Sequence, residues 1–200
     1  MKITDIEQQV RQQSRYSVFL ESKYAFSLSD SQIRLSGLKV GQELNQEEID
    51  SWKRESDEGK VLDRTLRWLA IRPRSEWELN DYLKRKDVHE DLAHKVMEQI
   101  REFGYIDDKA FADSWVRSRR MLKSSSKRRL RQELQQKRIA SDIIDVVIAE
   151  DETEDGSMLD ELIEKKGKQT RYQEDEKLIA YLARQGFNYS DIKEALAPVS

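Results

Sequence analysis

Cysteine is absent from the chain. That excludes disulfides, thiolate zinc sites and thiol nucleophiles, and it fits a reducing compartment. Glycine and proline are scarce, at 7 and 2 residues, which favours helices over a turn-rich β fold. No run approaches the ~18 apolar residues of a membrane-spanning helix. The opening "MKITDIEQQVRQQS" lacks the apolar core of a secretory signal. The expectation is a cytoplasmic protein with no membrane contact. There is no Gly-rich phosphate loop. His89 and His94 are five apart, whereas helical metal pairs stand at i and i+4. Asp151, Asp155 and Gly156 match three positions of a calcium loop, but Thr153 and Leu162 occupy two others that need acidic ligands. Ser124–Ser126 have no partner base. No active site, metal or cofactor is expected.

Charge is abundant instead, at 38% of residues against 37% apolar. The net charge of −3 is unevenly spread: residues 1–60 carry −2, residues 61–140 carry +7 and residues 141–200 carry −8. A basic middle beside an acidic end makes a dipolar surface, which suits a partner with a charge pattern of its own.

The first 60 residues begin with period-2 alternation. Tyr16, Val18 and Leu20, then Tyr24, Phe26 and Leu28, read as a β-hairpin. A lone hairpin is marginal in water and must pack on something. "SDSQIRLSG" reads as a short helix capped by Ser29 or Asp30 and ended by Gly37. Asn45 reads as the N-cap of a further helix, with a junction expected in the charge-rich Lys53–Lys60.

From about residue 60 the chain repeats. Leu79, Leu83, Val88, Leu92 and Val96 step by 4, 5, 4 and 4, and Leu130, Leu134, Ile139, Ile143 and Val147 step identically 51 residues later. Leu178, Leu182, Phe187, Ile192 and Leu196 form a third copy, starting 48 residues after the second, with steps of 4, 5, 5 and 4. Each copy reads as helix, turn, helix, and a further helix precedes each. The fold expected is mainly α: three tandem three-helix units in an elongated array, with a small N-terminal β-hairpin extension. The boundaries expected are 1–59 for the extension, 60–106 and 107–150 for the first two units, and 151–200 for an acidic linker with the third. Asp107 and Asp108 follow Gly104 where a helix begins, so capping accounts for them.

The densest feature is basic. Arg117 to Arg138 hold ten Lys or Arg and one acid, Glu133. Leu130 and Leu134 commit one helix face to the core, which leaves Arg128, Arg129 and Arg131 pointing mostly away from it. A solvated helix face and a contact surface for phosphates or carboxylates both fit. Only Trp115 lies near the cluster, so single-strand stacking has little support.

"LRWLAIRPRSEWELNDYLKRK", "FGYIDDKAFADSWVRSR" and "RRLRQELQQKRI" together resemble the RecX family, bacterial regulators of the recombinase RecA. The resemblance covers roughly residues 60–197, and the N-terminal hairpin is similar to an extension of some members. Where the family often has glycine at the inter-helix turn, this chain has Lys86-Asp87 and Lys137-Arg138; only Gly186 keeps it. "KSSSK" replaces another glycine. The resemblance implies a non-enzymatic protein that lies along the RecA–DNA filament and inhibits its growth, strand exchange, ATP hydrolysis and co-protease activity, modulating DNA repair and the SOS response. It implies the RecA nucleoprotein filament as partner, with weak direct DNA contact; a monomer is the default. The basic contact face expected comprises Arg72 and Arg74 from the family-like stretch, with Arg117, Arg119, Arg120, Lys123, Lys127, Arg128, Arg129 and Arg131. The alternatives are a DNA-binding protein that acts without RecA, disfavoured by the acidic balance, and a helical scaffold for another protein.

Overall fold

The computed structural model describes residues 1–197 and, among them, every side chain but that of Lys123. It divides into two compact units, Met1–Arg72 with Lys84–Ile100, and Pro73–Leu83 with Arg101–Ser200. Among the described residues the chain is mainly helical, with one small sheet.

The first unit opens with strands β1 (Ile3–Gln8), β2 (Arg15–Leu20) and β3 (Lys23–Ser29), an antiparallel sheet in sequence order. The expected hairpin is therefore two of three strands. Strand β1 escapes period-2 reading because the register shifts between Ile3 and Asp5. That bulge lets Ile3 and Ile6, three apart, both reach the core. A second shift, between Val18 and Phe19, turns Ala25 inward. Tyr24 stays half exposed, edge-on to Phe19. Glu21 and Ser22 join β2 to β3 with φ of 49° and 62°, as a two-residue turn with both centres left-handed requires. Thr4 Oγ1 accepts the Ser22 N–H at 3.0 Å, and Glu21 accepts the Lys2 N–H at 2.8 Å.

Helix α1 (Asp30–Ser36) carries a capping box from Ser29 and Gln32 and ends at left-handed Gly37. Helix α2 (Gln46–Leu69) starts on a second box, Asn45 with Glu48. It runs unbroken through Lys53–Lys60, where a junction was expected. Ser56 and Gly59 are buried on its inner face. Ser56 Oγ accepts the Ser27 N–H of the sheet at 3.2 Å. A Cβ on Gly59 would meet Gln32 Oε1 at 2.7 Å, so a side chain there would have to displace the amide that completes the α1 capping box and donates to the Glu55 carbonyl. A charge-rich run reads as a junction in sequence; here its two small residues, Ser56 and Gly59, make it one face of a continuous helix.

Helices α3 (Glu76–Arg85) and α4 (Glu90–Glu102), α6 (Lys127–Gln136) and α7 (Ser141–Glu150), and α9 (Asp175–Arg184) and α10 (Tyr189–Ala195) are the three copies of the pair. Helices α5 (Asp108–Lys123) and α8 (Asp155–Gly167) precede the second and third; the end of α2 precedes the first. Successive pairs start 51 and then 48 residues apart throughout. The third copy's extra step is thereby explained. Ile192 aligns with Ile144, which is fully buried, and not with the partly buried Ile143. Each pair turns through one left-handed residue: Asp87 at φ 52°, Arg138 at 57° and Gly186 at 96°. The missing glycines have not changed the turn; Asp and Arg adopt its strained geometry. Ser124, within "KSSSK", is left-handed too, at 45°.

One joint occurs twice in the second unit. Ser75 Oγ accepts the Glu78 N–H at 3.2 Å and donates to the Lys137 carbonyl at 3.1 Å, while the Glu76 N–H donates to Asp108 at 2.8 Å. One module later, Ser126 Oγ accepts the Arg129 N–H at 3.2 Å, the Lys127 N–H donates to Asp155 at 3.0 Å, and the Ser126 N–H donates to the Gln185 carbonyl at 3.0 Å. Thus a serine caps its own helix, and an aspartate at the head of the next module's first helix takes another orphan N–H. The same aspartate complements its own helix dipole. Asp107 caps α5 through the Ala110 N–H at 2.9 Å. Asp108→Ala and Asp155→Ala should each cost about 1 kcal/mol in urea unfolding. Burial raises the Asp108 carboxyl above its ordinary range, against the Glu76 N–H. Asp108→Asn, which keeps an acceptor, should therefore stay within about 0.5 kcal/mol of the parent; a full loss in the asparagine variant would show that charge, and not capping, holds the joint.

Candidate partner-binding surface

The basic stretch spans the end of α5, the serine turn and α6. Its arginines are occupied to a degree that composition does not reveal. Arg120 is only 9% exposed and donates to Asp151 at 2.5 Å, itself 9% exposed, and to the Ser125 carbonyl. Burial raises the Asp151 carboxyl, but hydrogen bonds from Arg120 and Thr153 outweigh it and hold it below the usual range. The acidic link between α7 and α8 is thereby pinned to α5. Asp151 and Asp155, read against a calcium loop above, serve Arg120 and the Lys127 N–H instead. Among the described residues no cluster of three His, Asp or Glu could hold a metal.

Glu133, the one acid in the cluster, is a hub. It accepts from Arg119 at 2.6 Å and Trp115 Nε1 at 3.0 Å, and it pairs with Arg129 at 3.3 Å. Arg119 lies 4.4 Å over the Trp115 ring and Lys137 5.2 Å from it. Lys137 also reaches Glu78 at 2.7 Å. Arg128 donates to the Gly186 and Phe187 carbonyls at 2.9 and 3.2 Å, and Arg129 to the Arg184 carbonyl at 2.6 Å. Arg129 thus closes the C-terminal end of α9, where unpaired carbonyls favour cations, while Arg128 holds the turn between α9 and α10. Arg131 pairs with Asp145.

Of the ten residues expected on the contact face, Arg119, Arg120, Arg128, Arg129 and Arg131 therefore have partners within the chain, and Arg72 and Arg74 have interactions of their own. Arg117 is exposed and lines a cleft of about 480 Å³ with Arg120, Asp113, Glu150, Asp151 and Glu152. Lys109 bridges Asp113 and Glu150 there, at 3.3 and 3.0 Å. Lys127 is half-buried. Arg72 is exposed and Arg74 half-buried, on either side of Pro73 ahead of α3. The Lys123 side chain lies outside the described ones. Two features were missed. Arg138 is exposed at the turn after α6. Four cations gather at Lys165, Lys166, Lys168 and Arg171, where the signal was legible: no acid occurs from 165 to 173 in an otherwise acidic module.

Family models match three stretches. The N-terminal domain of regulatory protein RecX covers residues 1–45, the first three-helix domain of RecX covers 62–99 and the second covers 107–148. The chain is 30% identical over 203 residues to the regulatory protein RecX of Clostridium botulinum, covering 98% of this chain and 94% of that one. With the same-named protein of Lactobacillus delbrueckii subsp. bulgaricus it shares 28% over 193 residues, 94% and 71% of the two chains. A crystal structure of regulatory protein RecX superposes with a TM-score of 0.74 at 27% identity, over 96% of this chain and 98% of that one. The structure of RecX from Lactobacillus salivarius shares the fold, with a TM-score of 0.58. Sheet, repeated modules and near full-length similarity agree: the chain belongs to the RecX family of regulatory proteins.

Proposed function

We propose that this chain binds the RecA nucleoprotein filament in the cytoplasm and inhibits its recombinase, ATPase and co-protease activities, so modulating DNA repair and the SOS response. The observation that carries this is similarity to RecX proteins along almost the whole chain. The repeated serine–aspartate joint supports it, since a surface that follows a regular filament needs modules held at fixed offsets. Regulation here is by binding, and the cleft beside Arg117 holds ion pairs.

The test is ATP hydrolysis by the cognate RecA on single-stranded DNA while this protein is titrated in. Inhibition well below one chain per RecA indicates blocked filament growth, and inhibition only near equivalence indicates coating. No inhibition by folded protein would sink the reading. The structure also selects the variant. Charge reversal at Arg128 or Arg129 would strip carbonyls at the end of α9 and in the turn after it as well as alter the surface, so loss of function there would be ambiguous. Arg117→Glu with Lys127→Ala spares those contacts. It should raise the concentration for half-inhibition roughly threefold to tenfold, with most of the effect on association. An unchanged value would remove these two residues from the contact.

A further inference from the structure

The acidic third module carries a local reversal of charge. Four of the seven basic residues in 141–200 fall between 165 and 171, at the end of α8 and in the short 3-10 turn Thr170–Tyr172. Two tyrosines hold two of them in place. The Tyr172 and Tyr181 rings lie 5.2 Å apart at the edge of the third module's core. The Lys166 ammonium sits 5.7 and 5.1 Å from their centroids, and the Arg171 guanidinium 5.7 Å from that of Tyr172. Lys165 is exposed. Lys168 pairs with Glu164 at 2.6 Å, but the two side chains are 72% and 74% exposed, and such a surface pair contributes little. The negative end of the α8 dipole accounts for Lys165 and Lys166. It does not account for Arg171, four residues beyond the helix end at Gly167, nor for the rings beneath the cations. The contrast with the second module is chemical. There, Arg119 and Arg120 are taken up by buried or half-buried carboxylates and Arg128 and Arg129 by backbone carbonyls; here Lys166 and Arg171 rest on aromatic faces, and Lys165 and Lys168 are exposed.

We infer that this patch is a DNA-backbone contact in which Lys165, Lys166, Lys168 and Arg171 meet phosphates. The ring faces are already covered by cations, so the patch offers no stacking platform for bases, and it reads charge and not sequence. The inference rests on the reading that the chain works on a DNA-bearing filament, and it names the chemistry by which the third module touches that DNA.

The experiment is fluorescence anisotropy of a labelled oligothymidylate and a labelled duplex with the full chain, across a salt titration, without RecA. The variant is Lys165→Glu/Lys168→Glu/Arg171→Glu, which leaves Lys166 on its tyrosines; circular dichroism confirms its fold. The parent chain should bind both DNAs with a steep salt dependence. The variant should lose at least about tenfold in affinity at low salt, and its log–log salt slope should fall by about 2. Equal affinity and slope in the two proteins, or no DNA binding by the parent at low salt, overturns the inference. Binding of poly-glutamate as tight as that of DNA, lost in the variant, also overturns it and assigns the patch to an acidic protein. The RecA ATPase assay run on the same proteins separates the two readings. If the parent inhibits and the variant inhibits equally, the patch fails while the proposed function stands; if neither inhibits, the proposed function fails while the DNA titration still decides the patch.

Discussion

Gly186→Ala should destabilise the protein by about 2–4 kcal/mol, whereas Arg138→Gly at the equivalent turn should leave stability unchanged or raise it by up to about 1 kcal/mol. The two positions share a left-handed backbone, at φ 96° and 57°. They differ in their surroundings. A Cβ on Gly186 would lie 2.3 Å from Ser126 Oγ, 2.6 Å from the Arg129 Cβ and 3.1 Å from the Arg129 backbone nitrogen. None of these can swing away, because the Ser126 hydroxyl caps α6 and the other two atoms belong to that helix's backbone or sit directly on it. The added methyl therefore has to push the third module off the second, breaking the Ser126 to Gln185 hydrogen bond and the Arg128 contacts to Gly186 and Phe187. Arg138 already carries a Cβ and is exposed; glycine there removes left-handed strain and adds unfolded-chain entropy. Urea unfolding followed by circular dichroism measures both. If Gly186→Ala costs no more than the left-handed penalty alone, about 1–2 kcal/mol, the joint yields easily and the modules are not held at fixed offsets. If it costs the full amount, RecA inhibition should weaken with it under conditions where the variant remains folded.

This pair of substitutions also marks how far the amino-acid sequence could be read. The apolar steps of Leu130, Leu134 and Ile139 placed the helices and their turn, because a buried stripe has to recur at helical spacing. The resemblance noted glycine at the third turn only, and the structure shows all three turns left-handed. What periodicity cannot express is which carbonyl faces which side chain. Asp108 and Asp155 look like ordinary first-turn acids; that each also caps a helix of the preceding module depends on tertiary placement. The candidate surface was hardest to read for the same reason. Arg120 and Arg117 are three residues apart on one helix, yet one is buried on Asp151 and the other is exposed. The partner that buries Arg120 lies 31 residues away, and counting charges in a window cannot find it. Strand β1 was lost to a bulge, which breaks the alternation that defines a strand in sequence.

The other large effect lies in the first unit. Asp63→Ala should cost about 3–5 kcal/mol, the range for removing one partner of a buried ion pair. Arg15 opens β2 and is 2% exposed; it donates to Asp63 at 2.7 Å, to the Ser27 carbonyl at 2.6 Å and, at 3.4 Å, to the Ser56 carbonyl. One guanidinium thus ties β2 and β3 to α2 where Ser56 also takes the Ser27 N–H. Without Asp63 the cation stays buried with carbonyl dipoles but no opposite charge. The reverse deletion should be milder. Asp63 is 28% exposed, so water can solvate it when Arg15→Met replaces the cation with an apolar chain of similar length; the cost expected is about 1–2 kcal/mol. The double variant Arg15→Met/Asp63→Ala should then be more stable than Asp63→Ala alone, since it removes the stranded charge. That inversion is the diagnostic outcome of the double-mutant cycle. Trp52, stacked on Phe26 at 6.4 Å in the same core, contributes a fluorescence signal for this unit, to be compared with the circular dichroism of the whole chain. A double variant no better than Asp63→Ala would mean that the carbonyls alone satisfy Arg15, and that the pair's charge contributes little to holding the sheet on α2.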